Sequence, residues 1–376
     1  MTRFRPLIIE AVVILLLVIT LIVLVILKSN PEIAEAMTRG PARIYGLIAG
    51  AVSSAIPFVS LTELLFINLF LLTILLIGLF IFNLVKKQPI KAFSKLLSIA
   101  IVALAVIDTY HFSCEAAYNR KEMPLPYYEN DVVREEYSDI YNYYASDLAA
   151  CLETVEFKEN GDVKKGLSFN EIVKEVKKAY QTLDDPYFSP YFGSVKRMMS
   201  SVVYREFQIT GVTFAAFGEA NINTLDVTID IPYTVAHELA HTKGVMREDD
   251  ANILAFYICL NSEHPYLRLS AYSRYFYLIA NMGSGSYLTK EERAALVKVD
   301  LSAYYKLINF KIAYWEEHDL LEEIADWINN LYIKTSGDED GTYSYEKGTE
   351  IEYDPTAHRI TTYNPYHKLF FEKYYR

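Results

Sequence analysis

Cysteine is scarce in this 376-residue chain: three residues, Cys114, Cys151 and Cys259, with no CxxC spacing among them. That excludes a disulfide framework and a cysteine-built metal knuckle; a Cys151–Cys259 pair is the one link the spacing leaves open. Positive charge is also short, with 36 Lys and Arg against 47 Asp and Glu and a net charge of −11, so a phosphate-tracking surface is absent and nucleic acid is excluded as a partner. Glycine (15) and proline (13) are too few for a collagen-like or low-complexity chain. What the chain has instead is apolar residues, at 52%, and they are unevenly spread. Up to Cys114 the balance of charge is +4, and from Glu115 onward it is −15. An apolar, mildly basic first third is joined to a polar, acidic remainder.

The first third, residues 1–114, contains three stretches long enough to cross a hydrocarbon core of ~30 Å as helices: about 7–27, 64–85 and 92–112. The first is too long and too apolar for a typical signal sequence, although Ala34-Glu35-Ala36 resembles a cleavage site, and it reads as an uncleaved anchor. Residues 44–62 carry no Lys, Arg or Asp after Ile44 and are rich in Gly, Ala and Ser, with Pro57 interrupting them. Arg3 and Arg5 precede the first span, and Lys86, Lys87, Lys91 and Lys95 follow the second. Placing both groups in the cytoplasm requires two spans between them. Residues 44–62 are therefore expected to form an interfacial or re-entrant helix pair, and residues 115–376 to lie outside the cytoplasm of a multi-pass protein of the cell membrane, with the lipid bilayer as a partner.

In residues 115–376 helical periodicity dominates, at about 131–155, 169–183, 253–260, 272–279 and 301–331. Residues 202–222 read as short strands and turns, and the alternation of Leu225, Val227, Ile229 and Ile231 predicts another strand. Residues 334–348 read as loop. Thirty-one tyrosines fit core positions whose hydroxyls reach a polar partner, and a glycan-stacking surface is the rival reading. His264, His318, His358 and His367 lack ligand spacing. The fold class expected is mainly α: N-terminal transmembrane helices, then a mostly helical domain with a small β-sheet.

Chemistry is concentrated at His237-Glu238-Leu239-Ala240-His241, an H-E-x-x-H sequence. On a helix, positions i and i+4 share a face, so both imidazoles can bind one metal ion, and Glu238 is placed to act as general base toward a metal-bound water. Zinc brings the pKa of such a water to ≈ 7. Pro232 opens the helix and Gly244 can close it. A catalytic site needs a third ligand, and the acids Glu248, Asp249 and Asp250 open the next helix.

Zinc peptidases of the gluzincin type pair H-E-x-x-H with a downstream E-x-x-A-[D/N], and Glu248, Ala251 and Asn252 resemble that pattern. The resemblance implies Glu248 as third ligand and Asn252 as a brace for a ligand histidine. More closely, Pro232 to His241, Gly244, Arg247 to Asn252, Phe217-Gly-Glu-Ala-Asn, Ala271-Tyr-Ser and Ser344-Tyr345 resemble a bacterial family of membrane proteins defined only as a domain of unknown function. By analogy with zinc peptidases, the polar domain is expected to be zincin-like, with residues 218–221 as an edge strand for a substrate peptide. Tyr272, or else Tyr275, is the candidate to stabilise the oxyanion. The metzincin extension fails at Arg247.

These readings converge on a membrane-anchored zinc-dependent peptidase acting on a peptide or protein substrate. The rival is a non-catalytic zinc-binding sensor or scaffold, which would have no use for an acid beside the first ligand.

Overall fold

In the computed structural model, residues 4–376 are described except for 215–216, 285–286, 319–320, 337–339, 346–348, 355 and 358, and except for the side chains of 322, 332 and 336. Three helices are long and apolar enough to cross a membrane: α1 (Arg5–Lys28), α4 (Leu61–Val85) and α5 (Pro89–Ser113), of 24, 25 and 25 residues. α5 packs against both α1 and α4. The one acid inside the first span, Glu10, accepts at Oε1 from Ser94 Oγ of α5 at 2.6 Å. Between α1 and α4 come α2 (Pro31–Met37), a π-helical turn (Thr38–Ala42) and α3 (Arg43–Ser54).

Residues 44–62 do not form a helix pair. They form most of one helix, α3, followed by a turn that reaches the Ser60 cap of α4. The small side chains read as a membrane feature serve a different contact. α3 lies on the polar domain with Gly46 and Gly50 against Gly218, which has φ +56°; a Cβ on Gly218 would fall 3.0 Å from the Gly46 oxygen and from the Gly50 nitrogen. Only glycine permits that approach at that backbone angle.

The polar region carries α6 (Tyr137–Leu152), α7 (Phe169–Tyr180), α8 (Ser201–Glu206), α9 (Ile231–Thr242), α10 (Glu248–Leu260), α11 (Pro265–Met282), α12 (Lys290–Ala294), α13 (Ser302–Glu317), α14 (Glu322–Ser336) and α15 (Pro365–Tyr375). Its strands are β1 (Glu156–Phe157), β2 (Val163–Lys165), β3 (Ser194–Arg197), β4 (Gly211–Phe214), β5 (Glu219–Ile222), β6 (Glu352–Asp354) and β7 (Arg359–Thr362). Two hairpins, β1–β2 and β6–β7, flank a three-stranded sheet of order β3-β5-β4, in which β5 runs parallel to β3 and antiparallel to β4. The fold is mainly α with small sheets, as the periodicity predicts.

Residues 225–231 are not a strand. Asn223 Oδ1 accepts from Leu225 N at 3.0 Å and Asp226 Oδ1 from Val227 N at 2.6 Å, so side-chain turns take the place of a ladder. Val227 and Ile229 are buried all the same: the alternation reports burial and not extension. α14 likewise runs to Ser336, beyond the start of the expected loop. Cys114, Cys151 and Cys259 are free and buried, so the Cys151–Cys259 link does not form.

Many of the tyrosines are core residues, although Tyr143, Tyr191, Tyr277, Tyr305, Tyr343 and Tyr353 are exposed. Tyr137, Tyr144, Tyr180, Tyr233, Tyr266, Tyr272 and Tyr366 are fully buried, and several hydroxyls end on backbone carbonyls: Tyr180 on Ala236 at 2.6 Å, Tyr233 on Asn252 at 2.7 Å, Tyr144 on Phe370. These bonds tie α9 to α7 and α10.

One buried ion pair links two neighbouring strands of the three-stranded sheet. Lys196 Nζ of β3 donates to Glu219 Oε1 of β5 at 2.5 Å, with 1% and 0% of the two side chains exposed. Removing one partner strands the other charge without water, a loss of about 3–5 kcal/mol. Glu219→Ala should therefore lower the melting temperature of the detergent-solubilised full chain sharply, whereas Glu219→Gln, which keeps an acceptor for the neighbouring donors, should lose less. Thermal unfolding followed by circular dichroism checks both.

Candidate metal centre

The helix α9 starts at Ile231 with Pro232 in its first turn, and ends at Thr242, just before Gly244, at φ +89°, turns the chain back. His241 Nδ1 meets the Val245 carbonyl at 2.8 Å in that turn. This contact assigns the proton to Nδ1 and leaves a lone pair on Nε2. The next element, α10, begins three residues later with its acids in the first turn. Glu248 Oε2 lies 3.1 Å from His237 Nε2 and 3.8 Å from His241 Nε2, and the two imidazole Nε2 atoms are 3.2 Å apart. Donor atoms of His237, His241 and Glu248 all lie within 4.8 Å of one another. Asp249 and Asp250 turn away toward Arg247, at 2.8 and 3.5 Å. Among the three acids left open by the spacing, the structure brings Glu248 to the histidines.

A test of fit follows from this geometry. Burial lowers the proton affinity of His237 and of His241, which favours neutral rings with available lone pairs. Two lone pairs and a carboxylate oxygen converging on one point repel unless a cation sits among them. A set of two imidazoles and one carboxylate is also the donor chemistry that suits zinc while leaving a position open.

Glu238, at 5% exposure, lies on the sheet side of α9. The Thr213 hydroxyl of β4 donates to its Oε2 at 2.7 Å, and burial pushes its carboxyl up to about 7, against the opposing pull of His237 and Thr213. Gly211, two residues earlier on the same strand face, leaves the space that Glu238 Oε1 occupies; a Cβ there would overlap it. Thr213 and Gly211 belong to this site and were missed by the sequence reading. The only sign of them was a glycine in a β-like run. Asn252 lies beside the His237 imidazole and raises its proton affinity, although His237 Nδ1 makes no hydrogen bond of good geometry.

Other expectations do not survive. Tyr272 is in the core and donates its hydroxyl to Asp147 Oδ2 at 2.5 Å, because its face of α11 packs on α6. Tyr275 stacks on Tyr366 with ring centroids 3.9 Å apart. Neither tyrosine joins the His–Glu group. Residues 218–221 are no edge: β5 is the central strand, and the edge beside Glu238 is β4. Of the remaining histidines, His367 is buried on Asn364, His318 bonds the Tyr314 carbonyl and His264 caps α11, while His358 lies outside the described residues.

Residues 42–351 match the model of a family described as "Protein of unknown function (DUF3810)". The chain belongs to this family. The match runs from α3, through α4 and α5, to beyond α14, so this family's pattern includes two of the three long apolar helices and the His237–His241–Glu248 group. No curated protein and no solved structure matches the chain.

Thr213→Val removes the one hydroxyl donor to a buried carboxylate. It should cost about 1–3 kcal/mol of stability, read as a lower melting temperature of the full chain, with the loss relieved in the double variant Thr213→Val, Glu238→Leu.

Proposed function

We propose that this DUF3810 member is a membrane-anchored zinc-dependent peptidase. The observation that carries the reading is the convergence of His237, His241 and Glu248 with Glu238 held beside them. A zinc ion bound by those three residues would supply a Lewis acid and a water of near-neutral pKa. Hydrolysis then adds one water across an amide C–N bond. The oxygen bonds to the carbonyl carbon, the C–N bond breaks, and Glu238 carries one proton from the water to the leaving nitrogen. Thr213 fixes the Glu238 carboxyl for both transfers. Val245 orients the His241 imidazole, as partners of ligating histidines commonly do, and Asn252 stands beside that of His237. A sensor or scaffold with a structural metal needs no acid locked in place next to the first ligand, and that favours the enzyme.

The basic residues before the first apolar helix and after the second favour a cytoplasmic position for Arg5 and the Lys86–Lys95 stretch, and with it an extracytoplasmic position for the proposed metal centre. A reporter active only outside the cytoplasm, fused after Arg376, should be active. A cytoplasmic signal there would reverse the proposed orientation.

The division of labour is testable in the purified full chain. Glu238→Gln should keep about one zinc per chain, as the wild type should, and lose hydrolysis by roughly 100-fold or more. Glu248→Ala should lose the metal itself, read by elemental analysis after mild dialysis. Retention of metal and activity by Glu248→Ala would sink the ligand assignment. A wild-type chain that binds no zinc would remove the enzyme reading altogether.

A further inference from the structure

The strand β4 stands between Glu238 and a membrane helix. Alternation along a strand sends neighbouring side chains to opposite faces. Gly211 and Thr213 face Glu238, and Phe214 faces the other way, where its ring meets Phe66 of α4 at a centroid distance of 5.4 Å. Phe66 is five residues into α4, about 7–8 Å along the helix from its start. One strand's thickness thus separates the presumptive base from a helix that enters the bilayer. The same end of the molecule carries a cavity lined by the ligand His241 and by Thr213 on one side, and by Thr38, Arg43 and Ser113 on the other. Ser113 is the last residue of the third apolar helix.

Among the described residues, no strand pairs with the outer edge of β4. A substrate strand added there would lie ~4.8 Å from β4 and follow it from the level of Glu238 toward Phe66. At ~3.3 Å per residue, the chain would reach the hydrocarbon within about ten residues of the scissile bond. A polypeptide free in solution gains nothing from that geometry. One already anchored in the same membrane arrives with its cleavable stretch at the right height.

Resting on the peptidase reading, we propose that the substrate is the juxtamembrane stretch of a polypeptide anchored in the same bilayer, paired on the free edge of β4 and hydrolysed within about ten residues of its membrane span. The covalent step is the one described above, with water as the only co-reactant.

The test uses the full chain, zinc-loaded, in phosphatidylcholine vesicles. Three probes carry the same mixed-sequence peptide library: free in solution, fused to a single membrane-spanning helix through a linker of about 5 residues, or fused through one of about 40. Products are read by mass spectrometry against the Glu238→Gln chain. We expect the short-linker probe to be cleaved at least about tenfold faster than the free library, since anchoring raises its effective concentration at the edge, with the long linker in between. Free library cleaved as fast as the short-linker probe would overturn the substrate assignment and leave the peptidase reading intact. If no probe is cleaved above the Glu238→Gln background, the peptidase reading falls and this inference with it.

Discussion

A carboxylate buried without water is tolerable only when several donors share its charge, and Glu219 meets that condition by recruiting groups from three elements. It accepts from Lys196 Nζ of β3, Ser53 Oγ of α3, Leu61 N at 3.1 Å, and Thr62 N and Oγ1 at 2.9 Å. Burial works against its ionisation, yet Lys196, Ser53 and Thr62 hold its carboxyl below the usual range. Because Glu219 starts the central strand, this single charge fixes the sheet to the end of α3 and the first turn of α4. Glu63 repeats the device in the same turn, accepting from Met199 N at 2.6 Å and Ser200 N at 2.9 Å. The sheet in turn positions β4 under Glu238.

A second tie acts on the far end of α9. Arg120 follows the third apolar helix and is almost wholly buried. It pairs with Glu35 of α2 at 2.8 Å through two nitrogens, donates to the Gly244 carbonyl at 2.8 Å, and lies 3.6 Å over the Tyr187 ring. A planar fork that bonds a carboxylate and a carbonyl while stacking on an aromatic ring is a task for which lysine has no equivalent. The turn that orients His241 is therefore held from the membrane side, and the Tyr233 hydroxyl on the Asn252 carbonyl holds α9 to α10 from the other.

How much of this could be read from the residues depended on whether the signal was local. H-E-x-x-H with Pro232 before it and Gly244 after it is local, and so are three apolar runs; these features stand in the structure where the sequence puts them. Glu248 over Asp249 and Asp250 was open by spacing alone, and is decided by which acid Arg247 takes. Long-range contacts left no local mark. Nothing near Tyr272 in sequence says that Asp147 claims its hydroxyl, and nothing near Gly211 announces Glu238. The glycines of α3 gave a true signal that admitted two meanings, since small residues suit both a membrane helix and a close helix–sheet contact.

The change of composition at Cys114, from helices apolar enough to cross a membrane to an acidic remainder, does not divide the contacts. Of the donors to Glu219, all but Lys196 come from residues 53–62, and both Gly218 and Gly244 are covered by side chains or backbone from residues 38–50 and 120. A chain cut after Cys114 would leave Glu219 and Glu63 without most of their partners and would uncover the wall of the cavity beside His241. Buried charges stripped of donors cost several kcal/mol each, comparable to the net stability of a whole domain. The His237–His241–Glu248 group therefore depends on residues 38–63 and on Arg120 for the shape of its surroundings, which agrees with a family pattern that begins at residue 42 and runs into the polar region.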